Sequence, residues 1–261
     1  MRGEIALIRK SLFSYMASRV FFWTLAFSWM MGPLVFMFVW IAASGSGSVG
    51  GLEKNDFIFY YLLLILINQL SYPCSHWVIG ENIQAGTLSA WLMRPLPMIY
   101  EAVAADIALK IVCMPVVIVM VMVLAVCFGF GSAAVSTWFL LFMPALLMAC
   151  LLRFLFSYTI SLLAFWTGKI DALLAVNDTL VFLLAGQVAP TVLLPGVLGT
   201  ISFLLPFRYM LGFPVEVLSG MLPFAEIMKG LLIQAFWLVC AMILQKLIYI
   251  RGIRHYTAIG G

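Results

Sequence analysis

The residues able to do chemistry are few, and their spacing rules out most of it. His76 and His255 lie far apart, and no HExxH zinc motif or GxSxG nucleophile motif occurs. Cys74, Cys113, Cys127, Cys150 and Cys240 are scattered through apolar sequence without metal-ligand spacing or a disulfide framework, as small core hydrophobes would be. The glycine- and serine-rich run Ser44–Gly51 lacks the GKS or GKT of a phosphate loop and follows no strand. What remains are polar groups inside apolar runs: Asn68, Gln69 and Ser71, then Arg153, then Gln187. A polar group at membrane depth must face protein or a cavity, so these residues either pack helices together or line a path. A buried arginine is expensive in lipid, which makes Arg153 a candidate for the path, for gating or for a structural pairing. No acid in its own segment is an obvious partner.

One further stretch could act by contact. Gly80–Pro97 reads GENIQAGTLSAWLMRPLP: acid and amide first, a Gly86-Thr87 break, an apolar cluster of Leu88, Trp91, Leu92 and Met93, then Arg94-Pro95 and Pro97. It is too polar and too proline-rich to cross a bilayer, yet long apolar runs flank it. A short amphipathic helix ending before Pro95 is expected, since proline disfavours continuation. Such a loop is a docking element.

The elements that must position these groups are membrane helices. Of the 261 residues, 65% are hydrophobic and 9% charged, against about 45–50% and about 25% in soluble domains. One soluble core cannot hide that much apolar surface. The expected fold is an all-α polytopic membrane protein. Met1–Arg19, with Arg2, Arg9, Lys10 and Arg19 and apolar Ile5, Ile8, Leu12 and Tyr15 at helical spacing, reads as an amphipathic interface helix rather than a cleaved signal. Residues 20–250 read as one six-span domain. Its spans are Val20–Ala43, Phe57–Trp77, one within Ala102–Phe130, Trp138–Trp166, one from Leu173 or Leu180 to Leu194, and Leu231–Ile250. Asp106 and Lys110 are four apart and suited to an ion pair. Gly168–Asn177 reads as a loop. Gly186, Pro190, Pro195 and Gly196 interrupt the fifth span, so it is a broken helix or a re-entrant turn. Residues 195–230 form short outer-face helices or a re-entrant segment, and 251–261 a tail.

Six spans put both termini on one side. Placing that side in the cytoplasm puts Arg2, Arg9, Lys10, Arg19, Arg94, Lys110, Lys169, Lys246, Arg251 and Arg254 inside, and only Lys54, Arg208 and Lys229 outside. That distribution follows the positive-inside rule. It also makes residues 80–101 a cytoplasmic loop. A seventh crossing would reverse the C-terminal arginines. No basic patch interleaved with aromatics points to nucleic acid.

In order and spacing, Glu81, Gly86-Thr87-Leu88, Leu92–Pro95, Phe165-Trp166-Thr167, Gly186–Pro190, Pro206–Tyr209, Pro214–Gly220 and Tyr256–Gly260 resemble the membrane subunit of a bacterial type-2 ABC exporter, the ABC-2 family transporter protein group. The resemblance implies a permease with no catalytic site or cofactor of its own. Separate ATPase subunits would bind ATP and Mg²⁺ and grip Glu81, Gly86, Thr87, Leu88, Leu92, Arg94 and Pro95 together with the N-terminal helix. It further implies a second permease subunit, identical or related, joined through spans one, two and five, in the bacterial cell membrane among its lipids. A mostly apolar interior is compatible with a lipid, a hydrophobic drug or an amphipathic peptide. Two other classes compete. A secondary transporter commonly carries an intramembrane carboxylate or an inverted repeat, whereas Asp106 and Asp178 sit near the ends of the proposed spans. A non-transporting scaffold is the other.

Overall fold

In a computed structural model, residues 2–17, 19–45, 47–88, 93, 97–129, 138–167 and 170–255 are described. Among them the chain is helical, with no strand beyond an isolated bridge between Val49 and Leu52. The helices are α1 (Arg2–Ala17), α2 (Arg19–Ser44), α3 (Lys54–Ser71), α4 (Ser75–Gln84), α5 (Met98–Cys127), α6 (Phe139–Ser161), α7 (Ile170–Leu184), α8 (Gly196–Leu204), α9 (Phe207–Met210), α10 (Gly212–Leu218) and α11 (Phe224–His255). A 3₁₀ turn, Leu162–Phe165, extends α6. Five stretches are long and apolar enough to cross a membrane: α2 from Phe27, α3 with α4, α5, α6 with its 3₁₀ turn, and α11.

Burial separates the central element from the outer ones. The α3–α4 stretch is 72% buried, while the other four lie between 22% and 28%. The outer helices therefore turn most of their side chains outward, as lipid-facing helices do. Trp40 stacks on Phe57 and Trp29 lies 3.8 Å from Tyr72, so α2 and α3 run antiparallel. Helix α1 lies along α5, tied by an ion pair of 3.1 Å from Lys10 Nζ to Glu101 Oε1.

Four local features depart from the expected boundaries. The second span is not one helix. Pro73 breaks it, because the residue before a proline is pushed to extended backbone, and Tyr72 sits at ψ 123. The new N-terminus at α4 is capped from another helix: Asp106 Oδ1 on α5 accepts the backbone N–H of Cys74 (2.8 Å) and Ser75 (2.9 Å). Asp106 thus caps α4, with the Lys110 charge nearby but not in an ion pair within 4 Å. Second, α4 runs on to Gln84, so Glu81 and Asn82 belong to its last turn and do not open a loop. Third, the expected Gly168–Asn177 loop is helical from Ile170 onward, with Asp171 in the first turn of α7, where the helix dipole favours an acid. Fourth, the final helix reaches from Phe224 to His255, beyond both expected ends.

The stretch read from the sequence as a fifth span is interrupted. Helix α7 has 15 residues, about 22 Å at 1.5 Å per residue, short of a hydrocarbon core of about 30 Å. It ends where Gly186 takes φ +89. The irregular backbone beyond it is satisfied by side chains from two other helices. Tyr60 donates its hydroxyl to the Gly186 carbonyl (3.0 Å), while Tyr61 (2.9 Å) and Trp40 Nε1 (2.8 Å) donate to the Val188 carbonyl. Buried carbonyls left without such donors would be costly.

Candidate functional site

Helix α4 ends in a Schellman motif. Gly86, at φ +69, donates its N–H to the Ile83 carbonyl (3.2 Å), and Thr87 donates its N–H to the Asn82 carbonyl (3.2 Å). The Thr87 hydroxyl adds a bond to Asn82 Oδ1 at 2.8 Å. Gly86 and Thr87 therefore close the helix and aim the chain that follows. Leu88 turns inward: it is 1% exposed and packs with Ile79, Ile83, Met98, Tyr158 and Leu162. Glu81 remains exposed, as does Met93, at 81%. Leu92, Arg94 and Pro95, and most of the expected short helix before Pro95, lie outside the described residues.

The core around Leu88 is separate from the main one. It gathers α4, the start of α5, the end of α6, the start of α7 and the last part of α11 through Ile248 and Tyr249. The Gly80 position is part of this fit: a Cβ there would come within 3.1 Å of the Ile170 side chain.

Of the polar residues singled out at membrane depth, Asn68 and Arg153 come together and Gln187 does not join them. Arg153 is 3% exposed. Its Nη1 donates to Asn68 Oδ1 and Ser71 Oγ, both at 2.8 Å, and its guanidinium lies 5.0 Å from the Tyr72 ring. Tyr72 in turn donates its hydroxyl to Asp178 Oδ2 (3.3 Å), and His76 Nε2 lies 4.0 Å from the same oxygen. The arginine thus clamps α6 to the last turn of α3, next to the Pro73 break. Asp178, the ninth residue of α7, is the nearby acid, so a carboxylate does sit mid-helix. Gln69 is buried and its Oε1 finds no hydrogen-bond partner. Gln187, 8% exposed, sits in the bend after α7.

A buried ion pair escaped the sequence reading. Arg208 Nη2 donates to Glu216 Oε2 at 2.5 Å, and Arg208 Nε donates to Thr191 Oγ1 at 2.8 Å. The Thr191 hydroxyl closes the triangle on Glu216 Oε1. Phe203 covers the guanidinium at 3.9 Å. The triangle staples the turn around Thr191 to α9 and α10. Both charges were visible in the sequence, but their eight-residue separation crosses two short helices and carries no periodic signal.

Among the described residues no group of three His, Cys, Asp or Glu could hold a metal. The site combines one exposed helix end, packed apolar clusters and polar clamps between helices. A family model described as ABC-2 family transporter protein matches residues 14–260. A search of curated proteins found no match.

Proposed function

We propose, from the premise that the chain belongs to the ABC-2 transporter family, an exporter driven through the end of α4 by a separate ATP-hydrolysing subunit. Family membership makes the chain a multi-pass membrane permease component of an ABC-type transporter. The finer points that follow are inferences.

One observation carries the coupling reading. The most buried of the five membrane-length stretches, α3–α4, ends in a cap beside exposed Glu81, and Leu88 roots that cap among the ends of α5, α6, α7 and α11. A push on this end moves packed helices and not a free loop. An exposed methionine also suits an adaptable contact. In this reading Glu81, Leu92, Arg94 and Pro95 meet the ATPase, Gly86 and Thr87 hold the angle, and Leu88 transmits the force. ATP and Mg²⁺ bind the partner. The Arg153–Asn68 clamp holds α6 to α3 and is the gating joint, with Gln69 and Gln187 nearest a path.

Six crossings are supported by direction. Trp138 stacks on Phe224 at one end of α6 and α11, and Trp166 meets His255 at the other (5.9 Å). The two helices are thus parallel, and α7 with the short helices after it must return the chain across the bilayer once. With the basic residues as counted above, both termini are cytoplasmic in the bacterial cell membrane. A second permease subunit, identical or related, meets α2 and α7, whose Met31, Val35, Phe38, Leu173 and Val176 are exposed. The deeply buried α3 has little free face for that contact.

Reconstitution tests the coupling. Glu81→Gln is expected to copurify with the cognate ATPase less well by about tenfold, the worth of one charge-assisted contact, while still inserting. Unchanged copurification and ATP-driven transport would sink the assignment. A second reading, a secondary transporter, is favoured only by Asp178 in mid-helix. Transport by the purified chain without any ATPase would establish it.

A further inference from the structure

Helices α5 and α6 both pack on α3 but make little contact with each other among the described residues. Between them runs a groove of about 560 Å³, within the range of about 300–1,000 Å³ usual for ligand pockets. It is lined by Leu70 of α3, Lys110 of α5, and Met143, Leu146, Leu147 and Cys150 of α6. Cys150 Sγ lies 3.8 Å from the Leu70 carbonyl, where α6 meets α3. Leu147 and Met143 are 62% and 44% exposed, so the groove opens sideways, away from the bundle. Lys110 is the one charged group in its lining.

That charge is unmatched. Among the described residues Lys110 has no hydrogen bond and no ion pair within 4 Å. Asp106, one turn earlier on α5, caps α4, and its charge acts on Lys110 only at longer range. Arg153, three residues beyond Cys150, turns inward to Asn68 and Ser71. The depth of Lys110 then decides what can meet it. At 1.5 Å per residue it lies about 26 Å from the end of α5 at Cys127, against a hydrocarbon core of about 30 Å. From there its stem reaches the headgroup layer on the α4 side. A cation without a counter-charge at this depth is costly, and basic positions between spans receive anionic headgroups.

We propose that the α5–α6 groove seats one acyl chain of an anionic glycerophospholipid, with the lipid phosphate on Lys110 Nζ. From Met143 to Cys150 is about 10 Å along α6, room for part of one chain below the headgroup. The lining offers no carboxylate to the choline or ethanolamine cation of a zwitterionic lipid. An anionic headgroup brings no such cation. The site rests on the chain crossing a bilayer and not on the coupling or dimer readings.

The full chain is reconstituted in nanodiscs of equal phosphatidylglycerol, phosphatidylcholine and phosphatidylethanolamine, then released and weighed by native mass spectrometry. Phosphatidylglycerol is expected to be retained over either zwitterionic lipid by roughly tenfold, the worth of one charge-assisted contact. Lys110→Met keeps the length of the stem and should erase that preference, while Lys110→Arg should keep it. Leu147→Trp, which narrows the groove and leaves Lys110 in place, should lower phosphatidylglycerol retention. Lys246→Met, outside the groove on α11, should not. Equal retention of the three lipids, or a preference that survives Lys110→Met, would overturn the assignment. An equal loss in Lys246→Met would assign the preference to basic flanks in general and overturn it too. Displacement of the lipid by soluble glycerol 1-phosphate would make the ligand a free phosphoester, with the same result.

Discussion

Two buried arginines in one chain solve the same problem differently. Arg208 is neutralised by a contact with Glu216, which is itself fully buried. Arg153 is held by neutral oxygens of Asn68 and Ser71, and the charge of Asp178, which accepts from the Tyr72 hydroxyl, acts on it without an ion pair within 4 Å. Removing one member of a buried pair strands a charge and costs about 3–5 kcal/mol. Removing a donor from neutral acceptors costs about 1–3 kcal/mol. Arg208→Met should therefore lower thermal stability in detergent more than Arg153→Met does. The reverse order of melting temperatures would show that the Arg153 cluster carries more charge than its direct contacts indicate. Asn68 and Ser71 stand three apart on one helical face, so their shared partner was partly legible. That the partner was Arg153 was not: it lies 85 residues from Asn68 in sequence.

Helix ends are where this fold stores its geometry. Two of them turn on glycines at positive φ, Gly86 at +69 and Gly186 at +89. Gly86→Ala meets the left-handed penalty of roughly 1–2 kcal/mol. At Gly186 a Cβ would also collide with the Tyr60 hydroxyl that bonds its own carbonyl. Overpacking adds about 1–3 kcal/mol to the backbone penalty, so Gly186→Ala should lower the fraction surviving heating in detergent by more than the left-handed penalty alone. A loss no larger than that penalty would mean that the bend after α7 relaxes freely. Gly86-Thr87 and Gly186–Pro190 were both readable as interruptions, because glycine and proline act through the local backbone. The Pro73 break was equally local but lay inside an apolar run that masks it.

At the scale of the molecule, the α3–α4 stretch is the axis, and the other membrane-length helices around it expose apolar faces. Orientation is testable directly. In a chain whose cysteines are replaced by alanine, Lys54→Cys should react with a membrane-impermeant maleimide in intact cells, and Arg254→Cys only after permeabilisation. Reversed labelling would put the α4 end outside, where no cytosolic ATPase can reach it.

Composition and periodicity by themselves determined the solvent, the class and most span positions, because burying a run of apolar side chains in lipid depends only on their number and order. Glu81 and the Gly86 turn were legible for the same reason: exposure and punctuation are local properties. The tertiary structure alone decided that Asp106 caps α4, that Leu88 faces inward, and that Arg153 finds Asn68 and Ser71. Each is a contact between segments distant in sequence, chosen by how the helices pack and not by what either segment prefers alone.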